Sequence, residues 1–273
     1  MAETLNVALV QLNNGPDIAA NLKITEGFVR QAAEGGARLI CTPENTCHMR
    51  VTSAEKLKSS LPEEGHPVLA RMAALAREKD IHIYIGSLSI LLSPDKVANR
   101  GYMIDDKGDI VAKYDKIHLF DVDLPNGEKH RESAAVRAGD KAVIAKTPWG
   151  GVGMSICYDL RFAYLYRKLA QAGAKILAVP AAFTVPTGQA HWEVLLRARA
   201  IETGSFVLAA GQCGIHESGR ETYGHSLVIS PWGEIIVQAG VEPGLLTACI
   251  DIAAVDKARA AIPALKHDRN FTI

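Results

Sequence analysis

Short apolar runs of strand length alternate along this chain with stretches of helical period, and that interleaving sets the class as α/β. The strand candidates are residues 5–12, 38–42, 81–92, 100–104, 109–114, 151–157, 175–180, 205–211, 225–230, 234–238 and 245–250. Helical spacing marks 21–36, 67–79, 160–172 and 191–203, with Gly35-Gly36, Gly173 and Gly204 as stops. A turn at 105–108 joins 100–104 and 109–114 as a hairpin, so the sheets are expected to be mixed. About a dozen strands exceed one comfortable open sheet. Two stacked mixed sheets with helices outside, in one unit spanning 1–273, is the economical solution. No repeat or low-complexity tract interrupts it. Segment 121–140 reads as the longest irregular stretch, of a length usually reserved for functional loops.

Thirty basic and 30 acidic residues cancel, which argues against a nucleic-acid partner, since phosphate neutralisation needs a basic excess. The opening MAETLNVALVQ lacks the basic head and apolar stretch of a secretory leader. No run approaches the ~18 apolar residues that cross a bilayer, so no membrane partner is expected. The cysteines are five, an odd number, without a CxxC pair, and no HExxH is present. Neither a disulfide framework, a metal nor a nucleotide cofactor is expected, and the compartment reads as cytoplasmic and reducing. Cys41, Cys47, Cys213 and Cys249 read as buried small hydrophobes.

Cys157 has a different setting. It ends an apolar run and precedes a predicted helix from about Leu160, with Asp159 as its N-cap. A thiol facing a helix N-terminus meets free N–H groups and a positive dipole end, which lower its pKa. From this segment alone, a reactive thiol and a buried structural one are even readings. Glu44 follows Pro43 at a strand end, where open α/β sheets place their sites, although in isolation a solvated carboxylate reads as well or better. Lys116, in Tyr114-Asp115-Lys116-Ile117-His118-Leu119-Phe120, has apolar and aromatic neighbours that favour partial burial. Glu132 lies inside the long segment. A Cys–His pair is the rival arrangement, with His118, His191 or His225 as the base. His191, at a predicted helix start, reads better as a cap or packing residue, and His225 as a core histidine.

Taken together and in order, Pro43-Glu44, Tyr114-Asp115-Lys116-Ile117-His118-Leu119 and Ile156-Cys157-Tyr158-Asp159-Leu160-Arg161-Phe162 resemble the nitrilase superfamily of carbon–nitrogen hydrolases. The resemblance runs over nearly the whole chain. The residues after Cys157, with 191–202, 209–214 and 223–226, are similar to the amidase branch of ω-amidase and deaminated glutathione amidase. It implies a four-layer α-β-β-α sandwich that dimerises through its helical faces. It also implies a cysteine-dependent amidase acting on a small 2-oxo-acid carboxamide through a thioester. Cys157 would be the nucleophile and Glu44 the general base. Lys116 and the backbone N–H of Tyr158 would hold the oxyanion, with Glu132 positioning Lys116 and the substrate amide. Phe183, Thr184 and Thr187, on the loop expected after 175–180, would line the pocket. Arg161 could dock a substrate carboxylate, but an ion pair with Asp159 is the favoured reading. The chain departs from the branch at Ala163 and Gln189, where proline is usual, both expected beside the pocket. A binding protein that keeps the fold and uses Cys157 only structurally is the alternative of another class.

Overall fold

The computed structural model describes residues 4–50, 52–124 and 127–272. Residues 1–3 of the segment read for a leader, and 125–126 within the long segment, lie outside them. The first half runs β1 (Thr4–Gln11), α1 (Ile18–Glu34), β2 (Leu39–Cys41), α2 (Ser53–Ser59), α3 (Pro67–Lys79), β3 (His82–Ser93), β4 (Lys96–Ile104) and β5 (Ile110–Asp115). A small hairpin follows, β6 (Asp121–Asp123) with β7 (Lys129–Arg131). The second half runs β8 (Val143–Thr147), β9 (Gly150–Met154), α4 (Ala163–Gln171), β10 (Ala174–Ala178), α5 (Val185–Thr203) and β11 (Phe206–Ala209). It continues through β12 (Cys213–Ile215), β13 (Glu221–Tyr223), β14 (Leu227–Ile229), β15 (Ile235–Gln238), β16 (Gly244–Asp251) and α6 (Ala253–Ala261).

Two six-stranded mixed sheets result, ordered β16-β1-β2-β3-β4-β5 and β15-β14-β11-β10-β9-β8. In each, the second, third and fourth strands from one edge are parallel and their outer neighbours antiparallel: β1, β2, β3 in one sheet and β9, β10, β11 in the other. The strand–helix–strand order of the first half therefore recurs in the second without any repeat in the sequence.

Period-two alternation sorts the side chains into layers. In β1, Val7 and Leu9 face the second sheet and share a cluster with Val152 and Met154. Ala8 and Val10 face outward and pack with Val29 of α1 and Val68, Met72 and Leu75 of α3. On the far side, Leu165 and Leu169 of α4 and Leu196 and Ala200 of α5 cover the second sheet. The architecture is the four-layer α-β-β-α sandwich. A one-residue slip of β1 would exchange its two apolar faces, so both layers hold its register.

Several expectations are corrected. Helix α1 starts at Ile18, where the Asp17 carboxylate accepts the Ala20 N–H at 2.7 Å. Helix α5 starts at Val185 rather than 191, with Pro186 in its first turn, a place where the missing N–H costs nothing. Residues 157–161 form a 3₁₀ turn, and α4 begins only at Ala163, so Asp159 is not its cap. Segment 121–140 is not simply irregular, because it carries the β6–β7 hairpin and a 3₁₀ turn at Glu132–Ala134. Cys249 is exposed, whereas Cys41, Cys47 and Cys213 are buried as expected. No helix among the described residues is long and apolar enough to cross a membrane.

Candidate active site

Strands β2, β5, β9 and β10 end close together, and Glu44, Lys116, Cys157 and Ala182 lie at or just beyond those ends. At the crossing the two sheets approach closely. A Cβ on Gly86 would stand 2.1 Å from the Thr42 carbonyl oxygen and 2.4 Å from Pro180 Cβ. Only glycine lets β3 pass beneath the Pro43-Glu44 turn. That turn is tied by polar bonds. Thr46 Oγ1 donates to Pro43 O at 2.7 Å, and Gln212 Nε2 donates to Glu44 O at 3.0 Å. Asn45, at φ +59°, donates its N–H to Ser87 Oγ at 2.9 Å.

Glu44 is 4% exposed. Its Oε1 accepts from Lys116 Nζ at 3.0 Å and Asn99 Nδ2 at 2.8 Å, and its Oε2 from the Ala182 N–H at 3.0 Å. Glu132 completes the cluster. Its Oε2 accepts from Lys116 Nζ at 2.8 Å and the Phe120 N–H at 2.7 Å, and its Oε1 from Asn99 Nδ2 at 3.1 Å. Burial works against the charge on Lys116, but Glu132 and then Glu44 overcome it and hold the ammonium well above the usual lysine range. Burial likewise works against the charge on Glu132, yet Lys116 holds that carboxyl down at about 2.

Cys157 opens its 3₁₀ turn at φ +53°, a left-handed conformation that is uncommon without glycine. Its N–H donates to Pro180 O at 2.8 Å, and its side chain lines the cavity. The lowered thiol pKa expected from sequence is not found. Burial, and next the neighbouring Glu44 carboxylate, push the thiol up. The reason is geometric: the thiol does not face the N-terminus of a long helix, and one 3₁₀ turn does not outweigh burial beside an anion.

The cavity above these groups has a volume of about 270 Å³. Among the described residues its acidic lining is Glu44 and Glu132, and these face Arg50, Lys56, Lys116, Lys129, Arg131, Arg161 and Arg220. The Nε atoms of Arg50 and Arg220 are buried without a hydrogen-bond partner. Burial lowers the pKa of Lys56 despite the counteracting Glu132 and Glu44. Phe183, Thr184 and Thr187 line the cavity, and so does Tyr158, which the sequence reading singled out only for its backbone N–H. Phe183 and Thr184 lie on the loop as expected, Thr184 being the extended residue just before α5, whereas Thr187 lies in the first turn of that helix. Thr184 Oγ1 and Thr187 Oγ1 are 2.8 Å apart.

The favoured Arg161–Asp159 ion pair does not form. Arg161 lies over the rings of Tyr158 and Phe183, 5.9 and 5.8 Å from their centroids, and lines the cavity. Asp159 is fully buried and accepts instead from Tyr114 Oη (2.7 Å), the His118 N–H (3.0 Å) and the Ile156 N–H (2.8 Å), with His118 Nδ1 at 2.7 Å. None of His118, His191 and His225 lines the cavity, which argues against a Cys–His pair with any of these three, although His130 does line it. His118 stacks on Phe162, His191 meets Arg161, and His225 stacks on Tyr223 half-buried rather than in the core. Ala163 and Gln189 do not line the cavity either.

The sequence reading missed Asn99, Arg50, Lys56, Arg220 and Ala182. Asn99 carried a usable signal: asparagine is depleted in strands, yet it stands inside the Val97–Tyr102 run. The others reach the cavity from α2 and loops whose place in the fold no local pattern reveals.

A four-layer α-β-β-α sandwich with thiol, carboxylate and ammonium gathered at its strand ends defines a class of hydrolases. Residues 6–260 match the Carbon-nitrogen hydrolase family, and the chain belongs to that family. Proteins named deaminated glutathione amidase are similar over nearly the whole chain. That of Yersinia enterocolitica is 38% identical, covering 97% of this chain and 93% of its own length. That of Mus musculus is 41% identical, covering 96% and 83%. Among solved structures, the C. elegans NitFhit protein superposes with a TM-score of 0.91 at 33% identity, covering 98% of this chain and 66% of its own. An amidase from Nesterenkonia sp. gives 0.80 at 28% identity, covering 95% of each chain. A variant of the latter carries the acetamide moiety of fluoroacetamide covalently at its active-site cysteine. The protein is accordingly a hydrolase of non-peptide carbon–nitrogen bonds in linear amides, an amidase.

Proposed function

We propose that the protein is a cysteine-dependent amidase that converts a small 2-oxo-acid carboxamide bearing distal carboxylates, deaminated glutathione foremost, to the acid and ammonia. One observation carries the reading: a thiol, two carboxylates and an ammonium meet at the floor of a cavity whose walls are cationic. The relatives' name supplies the particular substrate. Unpaired Arg50 and Arg220 Nε donors and Lys56 suit a substrate with carboxylates distant from the scissile amide.

The chemistry follows from the charges. The resting thiol is protonated, so attack needs a base. Glu44 removes the proton as Cys157 Sγ bonds to the amide carbon. The oxyanion meets Lys116 and the N–H of Tyr158, which the first residues of a 3₁₀ turn leave without an intrahelical partner. Glu44 returns its proton to the leaving nitrogen, the C–N bond breaks, and ammonia departs from a thioester. Glu44 then deprotonates water, which attacks the thioester. The C–S bond breaks, giving the carboxylic acid and the free thiol. Glu132 holds Lys116 in place throughout.

The catalytic unit is read as the whole chain, 1–273, in the cytoplasm, where the free thiols among the described residues would persist. It is also read as a dimer through the helical layer, where Val194, Ile201, Trp232 and Ile262 stand more than half exposed. A monomer in sedimentation equilibrium at micromolar concentration would remove the dimer. The central test is ammonia release from deaminated glutathione by wild type and Cys157→Ala. Release by wild type alone is expected. Equal release by both would sink the mechanism, and much faster turnover of 2-oxoglutaramate or 2-oxosuccinamate would move the substrate to a simple ω-amide.

A further inference from the structure

We infer that Asn99 is a positioning residue that decides which oxygen of Glu44 handles the proton. The inference rests on Glu44 being the general base. A carboxylate oxygen offers two lone-pair sites. Both sites of Glu44 Oε1 are occupied, by Lys116 Nζ at 3.0 Å and Asn99 Nδ2 at 2.8 Å. Among the described residues Oε2 accepts the Ala182 N–H alone, at 3.0 Å, and keeps one site open. The thiol proton therefore goes to Oε2, and Asn99 closes the alternative.

The orientation of the Asn99 amide is fixed by its surroundings. Its second N–H reaches Glu132 Oε1 at 3.1 Å, so one NH₂ group bridges both carboxylates. Its own Oδ1 is buried without a partner. Rotating the amide would aim that oxygen at two anions, and an orphan carbonyl is the smaller penalty. The Asn99 main chain serves the same cluster, for its carbonyl accepts the Lys116 N–H at 2.9 Å. Asn99 is 3% exposed and does not line the cavity, so it acts through Glu44 and not on substrate. The charged groups facing Glu44 come from other elements: Lys116 after β5, Glu132 after β7, Cys157 after β9, and Lys56 on α2. None of them bridges the two carboxylates with neutral donors.

The test compares Asn99→Ala and Asn99→Asp with wild type and with Glu44→Gln, following the pH profile of ammonia release and the rate of the acylation burst. Asn99→Ala should lower kcat by about 10²-fold, at the small end of a general base's contribution, with KM changed less than about threefold because binding contacts are intact. Its acidic limb should move to higher pH, because the ionised carboxylate has lost a donor. Asn99→Asp should move that limb further still, because it places a third carboxyl beside the first two. A fall in kcat with an unmoved acidic limb, or a loss confined to KM, would overturn the assignment. So would failure of both variants to reach the wild-type circular dichroism spectrum and melting temperature, which would make Asn99 a structural residue. Glu44→Gln separates the premise: acylation persisting in Glu44→Gln removes the general base itself. Acylation lost there but untouched in both Asn99 variants removes only the role of Asn99.

Discussion

Replacing Lys116 by Met would remove the one cation shared by two buried carboxylates while keeping most of the side-chain volume. Lys116 Nζ lies 3.0 Å from Glu44 and 2.8 Å from Glu132, and the three side chains are 2, 5 and 11% exposed respectively. Deleting one partner of such a cluster leaves uncompensated buried charge, which costs about 3–5 kcal/mol. The loss must depend on pH, and its direction is set by the carboxylates. Glu132, held down at about 2 against an ordinary 4.5, contributes stability that is complete above pH 4.5 and fades as pH falls through 2. Without Lys116, burial is opposed only by the more distant Lys56 and the neutral donors, and the carboxyl moves up. The variant then recovers part of its deficit at low pH by protonating. Urea unfolding followed by circular dichroism should show a midpoint lowered by about 1 M at pH 8, for a slope of ~3 kcal/mol/M, and a visibly smaller decrease at pH 5. Turnover should fall by at least ~10²–10³, the loss for one oxyanion donor. A deficit below about 1 kcal/mol at pH 8, or one equal at both pH values, would refute the claim that Lys116 neutralises the pair.

Two other substitutions probe the frame around the site. Gly86→Ala forces a methyl to within 2.1 Å of Thr42 O and 2.5 Å of Pro43 O. It should cost about 3 kcal/mol or more by overpacking and abolish turnover through the displaced Glu44 turn, read by melting temperature and ammonia release. Unchanged values for both would contradict the close crossing of the sheets. Asp159→Asn cannot accept all the bonds now made by Tyr114, His118 and Ile156. Leaving one buried donor unpaired costs about 1–3 kcal/mol, a drop of roughly 5 °C in Tm for a chain of this size. Asp159 ties the Lys116 segment to the Cys157 turn, so kcat should fall with it. A lower Tm with full kcat would confine Asp159 to the fold.

Most strands and the mixed sheets were legible because short apolar runs and turn residues are local signals, as at β1, β3 and the β4–β5 hairpin, whereas β6, β7, β8, β12 and β13 were not read. Helix α3 was legible to the residue, since Pro67 opens it and an Asp80 in left-handed conformation closes it. Helix α5 was read only from 191, inside its true start at Val185. The fold keeps Gly188 because a Cβ there would stand 2.2 Å from the Tyr223 ring, a tertiary reason with no local trace. The motif residues Glu44, Lys116, Cys157 and Glu132 converge as the resemblance implied. What could not be read was their electrostatics. A dipole argument suggested an acidified thiol, and only the depth of burial and the neighbouring anion reverse it.

That reversal ties the repeated topology to the chemistry. The two sheets carry the same strand pattern, so equivalent connections, those following β1 and β9 or β2 and β10, end at one shared seam. Glu44 enters from one sheet and Cys157 from the other, while the Pro180–Ala182 stretch after β10 binds both, through the Cys157 N–H and Glu44 Oε2. A thiol activated by a helix dipole would be a thiolate at rest, open to oxidation whenever the cavity is empty. Here the thiol stays protonated, and its proton can leave only to a carboxylate held by the opposite sheet. Nucleophilicity therefore depends on the two sheets keeping their separation. This explains why Glu44 is held by fixed donors from both sides, Asn99 and Lys116 from its own sheet and the Ala182 N–H across the seam. A looser support in any of these places would let the base and the thiol drift out of hydrogen-bond reach, and the direct proton transfer would be lost.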